Sequence, residues 1–328
     1  MSLKFLQSKV KVVLAGWEEG LATLVARIES MAQPARLGES LSAMTQLTSD
    51  IMYMVTMPDD SRTRLKGKPG LQKRVAWNEP LPLREVKAVS KALGCSVNDV
   101  LLSCVSGALG TYLRQQGQPT DGCEIRAMVP VNLRRGVSKD PAKALGNKFG
   151  LVPLTLPVGL QHPVQRLYEI RQRMQALKGS YQALLSYAVL NAMGVLPDAV
   201  QLQVIEFLAS KATAVMTNVP GPQQALYMAG TRIDQILFWV PQSGDIGLGV
   251  SILSYNQSVQ FGLISAHNLV PEPERIIHFF EPEFEKLLML TLLSPWTEDD
   301  LDAAAVHEAL EPRTTKTQHR RRRAANRA

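Results

Sequence analysis

Over residues 3–31 apolar side chains recur every three or four positions: Leu3, Leu6, Val10, Val13, Trp17, Leu21, Leu24, Ile28 and Met31. That spacing predicts one long amphipathic helix, ended before Pro34. Its stripe needs a covering surface: the rest of the chain, a missing domain, a partner or a lipid surface. Residues 34–70 follow no period and close on the loop Leu65-Lys66-Gly67-Lys68-Pro69-Gly70. Lys73 to Trp77 fits a short strand. Pro82 to Leu93 has helical spacing through Leu83, Val86, Val89 and Leu93, with Gly94 as its stop. A second helix should start at Ser96, which can cap it, with Asp99 near its positive end. Val97 to Tyr112 is so uniformly small or apolar that this helix should be buried on most faces.

Further on, Ile125 to Val131 reads as a buried strand. Phe149 to Val158 reads as another, pushed towards a sheet edge or a bulge by Pro153 and Pro157. His162 to Ala192 has helical spacing through Val164, Leu167, Ile170, Met174 and Leu177, and Ala199 to Leu208 predicts a further helix. Strands are expected near 213–218, 232–240, 246–254 and 258–265, the last two joined by a hairpin turn at Tyr255-Asn256-Gln257. Glu272 to Leu293 should close the body as a helix. This order of helices and strands predicts an α/β or α+β fold on a mixed sheet. It divides the chain into a helical lead-in (1–60), a lobe (61–296) and a disordered basic tail (297–328).

Charge alters the picture in one way. The 328 residues carry a formal net charge of +7, with 36 basic and 29 acidic side chains. Seven of the basic ones lie from Arg313 onward with no acid among them, so the body is neutral. A basic nucleic-acid cleft loses its support, and no nucleic-acid partner is expected. The Arg-rich end, His319 to Arg323, reads as a solvated tail; anionic lipid headgroups are its alternative partner, and nucleic acid a third that no interleaved aromatics support. Cys95, Cys104 and Cys123 form no Cys-x-x-Cys and suit a reducing compartment. No signal peptide and no apolar run of about 18 residues is seen, so a cytoplasmic protein is expected, peripheral at most to an inner membrane or lipid inclusion.

Candidate chemistry is sparse. The five histidines, His162, His267, His278, His307 and His319, are never adjacent, and none begins a His-x-x-x-Asp pattern. His162, before Pro163, suits a helix cap; His267 suits a loop, and His278 a core or surface position. No metal-ligand spacing, nucleophile elbow, Walker loop or dinucleotide fingerprint occurs. Gly244-Asp245-Ile246-Gly247-Leu248-Gly249 is glycine-rich without the fingerprint's spacing, and reads as a strand start lying close to neighbouring backbone. Asn98-Asp99 is the one polar pair at the start of an apolar helix: either a cap or a hydrogen-bonded brace beside a site. Asn218, before Pro220 and Gly221, is either a turn former or an amide lining a pocket.

Several stretches, in order, resemble the bacterial wax ester synthase / acyl-CoA:diacylglycerol acyltransferase family over roughly residues 60 to 292. They are Leu65-Lys66-Gly67, Lys73-Arg74-Val75-Ala76-Trp77, Val97-Asn98-Asp99-Val100-Leu101-Leu102 and Val129-Pro130-Val131-Asn132-Leu133-Arg134. Leu145-Gly146-Asn147, Thr217-Asn218-Val219-Pro220-Gly221-Pro222 and Gly244-Asp245-Ile246-Gly247-Leu248 complete the set. The resemblance implies a chloramphenicol acetyltransferase-like lobe with a mixed sheet covered by helices. It implies acyl-CoA and a hydroxyl acceptor lipid as substrates, meeting in a tunnel between two lobes, with no cofactor. Asn98, Asp99, Asn218, Pro220, Gly221, Gly244 and Asp245 become candidates for the tunnel wall or its support. The family's catalytic His-His-x-x-x-Asp-Gly motif belongs to the first lobe, and this sequence has no His-His. The resemblance therefore assigns no catalytic residue here, makes a first lobe a partner, and implies inactivity of the chain alone. A non-catalytic lipid- or partner-binding module is the alternative; an unrelated transferase using a lone histidine is a weaker one.

Overall fold

The computed structural model describes residues 45–293 except 47, 51, 54–55, 134–148, 194–197 and 243. The leading helix, the Leu145-Gly146-Asn147 stretch and the basic tail lie outside them.

Among the described residues the strands are β1 (Lys73–Trp77), β2 (Leu81–Pro82), β3 (Ile125–Asn132), β4 (Phe149–Leu156), β5 (Ala214–Pro220), β6 (Tyr227–Met228), β7 (Thr231–Arg232), β8 (Leu248–Tyr255) and β9 (Ser258–Ala266). The helices are α1 (Leu83–Ala92), α2 (Val97–Gln115), α3 (Pro163–Gly179), α4 (Gln182–Met193), α5 (Asp198–Ser210), α6 (Glu274–Ile277) and α7 (Phe280–Leu293). The main sheet runs β1-β9-β8-β5-β3-β4, with β2 also on β9. β3–β5 and β5–β8 are parallel and the remaining pairs antiparallel. Of the edge and the bulge expected from its prolines, β4 takes the edge.

One face of the sheet, with Ala127, Leu154, Ala214, Met216, Val250, Ile252, Phe261 and Leu263, meets α1, α2, α3 and α7 in a continuous core. α2 is the central helix, buried on nearly every turn. Its start follows the sequence: Ser96 Oγ accepts from Asp99 N at 3.2 Å, and Asp99 Oδ2 accepts from Ser96 N at 2.9 Å. Arg166 on α3, 1% exposed, ties three helices together. It donates to the Ser103 carbonyl on α2 and to the Leu160 and Gln161 carbonyls, and pairs with Glu283 on α7. Gly107 lies where a Cβ would strike both charged groups. The expected hairpin between β8 and β9 forms, with a two-residue turn in place of the three residues expected: Tyr255 joins the strand and faces Ser258, and Asn256 and Gln257 have φ of 46° and 62°.

Three expectations are corrected. The helix expected from His162 to Ala192 is two helices, because Ser180 is extended (φ −90°, ψ 162°) and Asp50 Oδ2 takes the Tyr181 N–H at 2.8 Å. The closing helix from Glu272 to Leu293 is also two, α6 and α7. Pro282, in the first turn of α7, has no N–H for the helical bond to His278. Residues 232–240 form no strand beyond the two-residue β6–β7 pair. From Ile233 to Gln242 the chain is instead a strap over the second face of β8 and β9. Ile236 N donates to Gln260 Oε1 at 3.4 Å and Gln242 Nε2 to the Ile264 carbonyl at 3.2 Å. Gly249 and Gly262 make room for it: a Cβ there would lie 3.2 Å from the Val240 carbonyl and 3.1 Å from the Trp239 ring.

Candidate functional site

Because β3, β5 and β8 are parallel, their carboxyl ends share one edge of the sheet. Open α/β sheets present ligand sites at that end. Along β5 the alternation that buries Ala214 and Met216 continues to Asn218, half-buried at the strand's end. The first turn of α2 arrives beside it, and Asn218 Nδ2 donates to Asn98 Oδ1 at 3.0 Å. Two residues 120 positions apart thus form a single amide bridge. Asn98 serves as a brace between sheet and helix. Asp99 is occupied by the cap, and its Oδ1 is buried without a hydrogen-bond partner.

Pro220, Gly221 and Pro222 leave β5 at the same end and are pinned to the β8–β9 turn. Gly221 N donates to the Ser254 carbonyl at 2.8 Å, and Asn256 N to the Pro222 carbonyl at 3.0 Å. A Cβ on Gly221 would stand 2.6 Å from the Ser254 oxygen, so only glycine fits. Gly244 and Asp245 lie at the other end of β8, roughly 23 Å of strand away at about 3.3 Å per residue. Gly244 has φ of 58° and packs on Ala209 of α5, where a Cβ would approach Ala209 Cβ to 2.6 Å. The sequence candidates therefore fall into two groups: five at the carboxyl edge and two at the amino edge.

Between the groups, on the sheet's second face, is a feature that no sequence motif marked. Met128 of β3, Leu151 and Pro153 of β4, Val215 of β5 and Ile246 form the floor of a cavity of about 160 Å³. Ser186, Val189 and Leu190 of α4 and Ile205, Leu208 and Ala209 of α5 form its roof, with Met57 closing one side. The lining has no charged side chain. Apolar cavities of roughly 150 Å³ stay dry and accept apolar guests. Its signal in the sequence is the group of apolar residues Met128, Leu151, Pro153 and Val215 on the face of β3 to β5 away from the core, legible only once the sheet order is known.

The amino edge closes on a polar knot. Asp60 accepts from the Arg126 backbone N–H, from Ser61 N and from Thr213 Oγ1 at 2.6 Å. Burial pushes its carboxyl above the usual carboxylate range against those hydrogen bonds. Arg126 Nη1 binds the Pro58 and Lys211 carbonyls at 3.0 and 2.6 Å. Lys66 Nζ donates to the Ala212 carbonyl at 2.9 Å, and burial holds it below the ordinary lysine value. This knot anchors residues 57–66 under the strands. Asp60, Lys66 and Thr213 are engaged by the fold itself, and Arg126 keeps only its buried Nε without a partner, so the knot reads as structure.

No described histidine stands at the carboxyl edge. His162 Nδ1 caps α3 by accepting from Gln165 N at 3.5 Å, and burial lowers its pKa. His267 follows β9 at the amino edge, where its backbone N–H donates to the Gln72 carbonyl, and His278 is exposed at the end of α6. Among the described residues no group of His, Cys, Asp and Glu could hold a metal.

A mixed sheet with a parallel centre, helices on both faces and a crossing strap is the chloramphenicol acetyltransferase-like fold. A solved trichothecene 15-O-acetyltransferase from Fusarium sporotrichioides shares the fold, with a TM-score of 0.51 and 15% identity over 74% of this chain and 51% of its own. The wax ester synthase/diacylglycerol acyltransferase from Marinobacter aquaeolei VT8 has a TM-score of 0.53 and 25% identity over 76% of this chain and 56% of its own. Residues 145–288 match the family model described as the WS/DGAT C-terminal domain. Over those residues the chain carries a WS/DGAT C-terminal domain. Among curated relatives, O-acyltransferase WSD of Acinetobacter baylyi is 28% identical over 206 residues, 62% of this chain and 44% of its own length. A Mycobacterium tuberculosis protein named as a diacylglycerol O-acyltransferase is 30% identical over 225 residues, 66% of this chain and 44% of its own. The chain spans about half the length of the curated relatives it matches.

Proposed function

We propose that this lobe supplies one wall of the acyl tunnel of an acyl-CoA-dependent O-acyltransferase that makes triacylglycerol or wax esters from diacylglycerol or long-chain alcohols. The observation that carries the reading is the uncharged cavity between the sheet and α4–α5. Each methylene moved from water into such a space contributes about 0.8 kcal/mol. A few carbons held there would orient a long acyl group. The Asn98–Asn218 bridge fixes the neighbouring carboxyl edge against α2.

The reaction needs a group absent from this sequence. The acceptor hydroxyl attacks the thioester carbonyl, the carbon–sulfur bond breaks, and the hydroxyl proton ends on the departing CoA thiol. In the resembled family a histidine of His-His-x-x-x-Asp-Gly on the other lobe accepts that proton first. A general base contributes on the order of 10² to 10⁴ in rate. The chain alone is accordingly inactive, and a lobe bearing that motif is its partner. The test is turnover of a long-chain acyl-CoA with hexadecanol or diacylglycerol, by the chain alone and with such a lobe added. Ester formed only by the pair supports the reading; turnover by the chain alone, or by neither, contradicts it. No finding favours the non-catalytic alternative.

A further inference from the structure

The cavity has two unlike ends. Met57, Ala209 and Ile246 line it at the amino edge of the sheet, and all three are buried. Towards the carboxyl edge Leu151 is half-buried, and Val189, at 38%, is the most exposed residue of the lining. Leu151 faces Pro130 near the end of β3. Two residues nearer the edge, on the same face of β4, Phe149 is exposed, and so is Val219 on the Val215 face of β5. The space is closed at the amino edge, and an apolar track leads from its other end to the carboxyl edge. The closed end is also the anchored one. Pro58, next to Met57, gives its carbonyl to Arg126 Nη1 at 3.0 Å, and Asp60 accepts from Arg126 N and Thr213 Oγ1. The polar knot thus fixes the backbone that carries Met57.

We infer that the cavity gauges the methyl end of an acyl chain, with Met57 as its stop and as the residue that sets chain length. An uncharged lining takes the methyl end first, because a carboxylate or CoA end would have to leave water unpaired. An apolar cavity of roughly 150 Å³ accepts a benzene-sized guest, so this one of about 160 Å³ takes about six carbons. Val215 on its floor lies four residues before Val219, about 13 Å of strand. A chain held at the carboxyl edge must cross that distance before it enters. Short chains end outside, and only long ones gain the contacts of the cavity. The substrate class is a long acyl chain with an apolar terminus.

The inference rests on the acyltransferase reading for its guest, but binding alone tests it. Ester made by the paired lobes with no length limit in binding removes only the gauge; a length limit with no ester removes only the reaction. Saturated fatty acids from decanoic to eicosanoic acid are used to displace a fluorescent long-chain probe from the full chain. Each methylene that enters the cavity should tighten binding about fourfold, and the gain should stop after about six such steps. Met57→Ala should move that plateau about three carbons longer, one for each heavy atom removed. Leu151→Ala, at the open end, should weaken long chains alike and leave the plateau in place. A comparison on the wild-type chain needs no variant: hexadecanedioic acid should bind at least tenfold more weakly than hexadecanoic acid, since its far carboxylate would enter an uncharged space. The inference is overturned by affinity that rises without a plateau, by a plateau that Met57→Ala leaves unmoved, or by equal binding of the two acids. Should Met57→Ala fail to fold, the wild-type plateau and the diacid comparison decide.

Discussion

Replacing Arg166 by Met tests how the lobe is held together. The guanidinium has three carbonyl partners, on Ser103, Leu160 and Gln161, and a carboxylate partner in Glu283, all in a region where Arg166 and Glu283 side chains are 1% and 3% exposed. Methionine fills similar volume, so the cavity cost is small. The main loss is the charge partner: Glu283 would remain buried with only Lys286 on its Oε1 at 2.6 Å. Breaking a buried pair in this way costs about 3–5 kcal/mol, whereas replacing both members by apolar groups is often neutral. Arg166→Met should therefore lose about 3–5 kcal/mol in urea unfolding followed by tryptophan fluorescence. Arg166→Met/Glu283→Leu should recover most of that loss. The reasoning is refuted by a single-variant loss below about 1 kcal/mol, or by a double variant no more stable than the single.

Four narrower expectations share this footing. Asn98→Ala and Asn218→Ala should each cost about 1 kcal/mol, and the double variant less than their sum, because they remove one bridge; additive costs in a denaturation cycle would break the pairing. Burial pushes the Cys95 and Cys104 thiols up to about 12 and raises Cys123 less, so iodoacetamide at pH 8 should label Cys123 first, as read by mass spectrometry. Asp60 has a folded pKa above its unfolded value near 3.8, so the folded state holds the extra proton. Its contribution to stability is largest below pH 3.8 and declines as pH rises from there to the raised value; Asp60→Asn should remove that decline from the urea midpoint against pH. Ser96→Ala should cost about 1 kcal/mol through loss of the α2 cap, measured by the same unfolding curve.

Much of the fold was legible where a local signal had one physical meaning. Ser96 and Asp99 announced the start of α2, Tyr255-Asn256-Gln257 the place of the β8–β9 turn, and Pro153 and Pro157 that β4 is an edge or bulged strand. Local signals misled where a distant group intervened. Nothing near Ser180 in sequence reveals that Asp50 will take the Tyr181 N–H, so one apolar period read as one helix. The apolar run 232–240 looked like a strand because burial by crossing a sheet and burial by joining it leave the same pattern. The difference lies in Gly249 and Gly262, on other strands. The amide bridge is half-legible: Asn98 and Asn218 each stand out in the sequence, and only the fold joins them. The cavity was illegible because its twelve lining residues come from segments spread between Met57 and Ile246.

The central claim is that the uncharged space under α4 and α5 holds part of a long acyl chain. Val215 on its floor points into it, so Val215→Phe should fill it with little harm to the core on the sheet's other face. Displacement of a fluorescent long-chain fatty acid from the purified chain measures occupancy directly. The account predicts saturable binding to wild type and at least a tenfold weaker affinity for Val215→Phe, with short-chain analogues binding both proteins equally poorly. Equal affinity of the two proteins for the long-chain probe would contradict it.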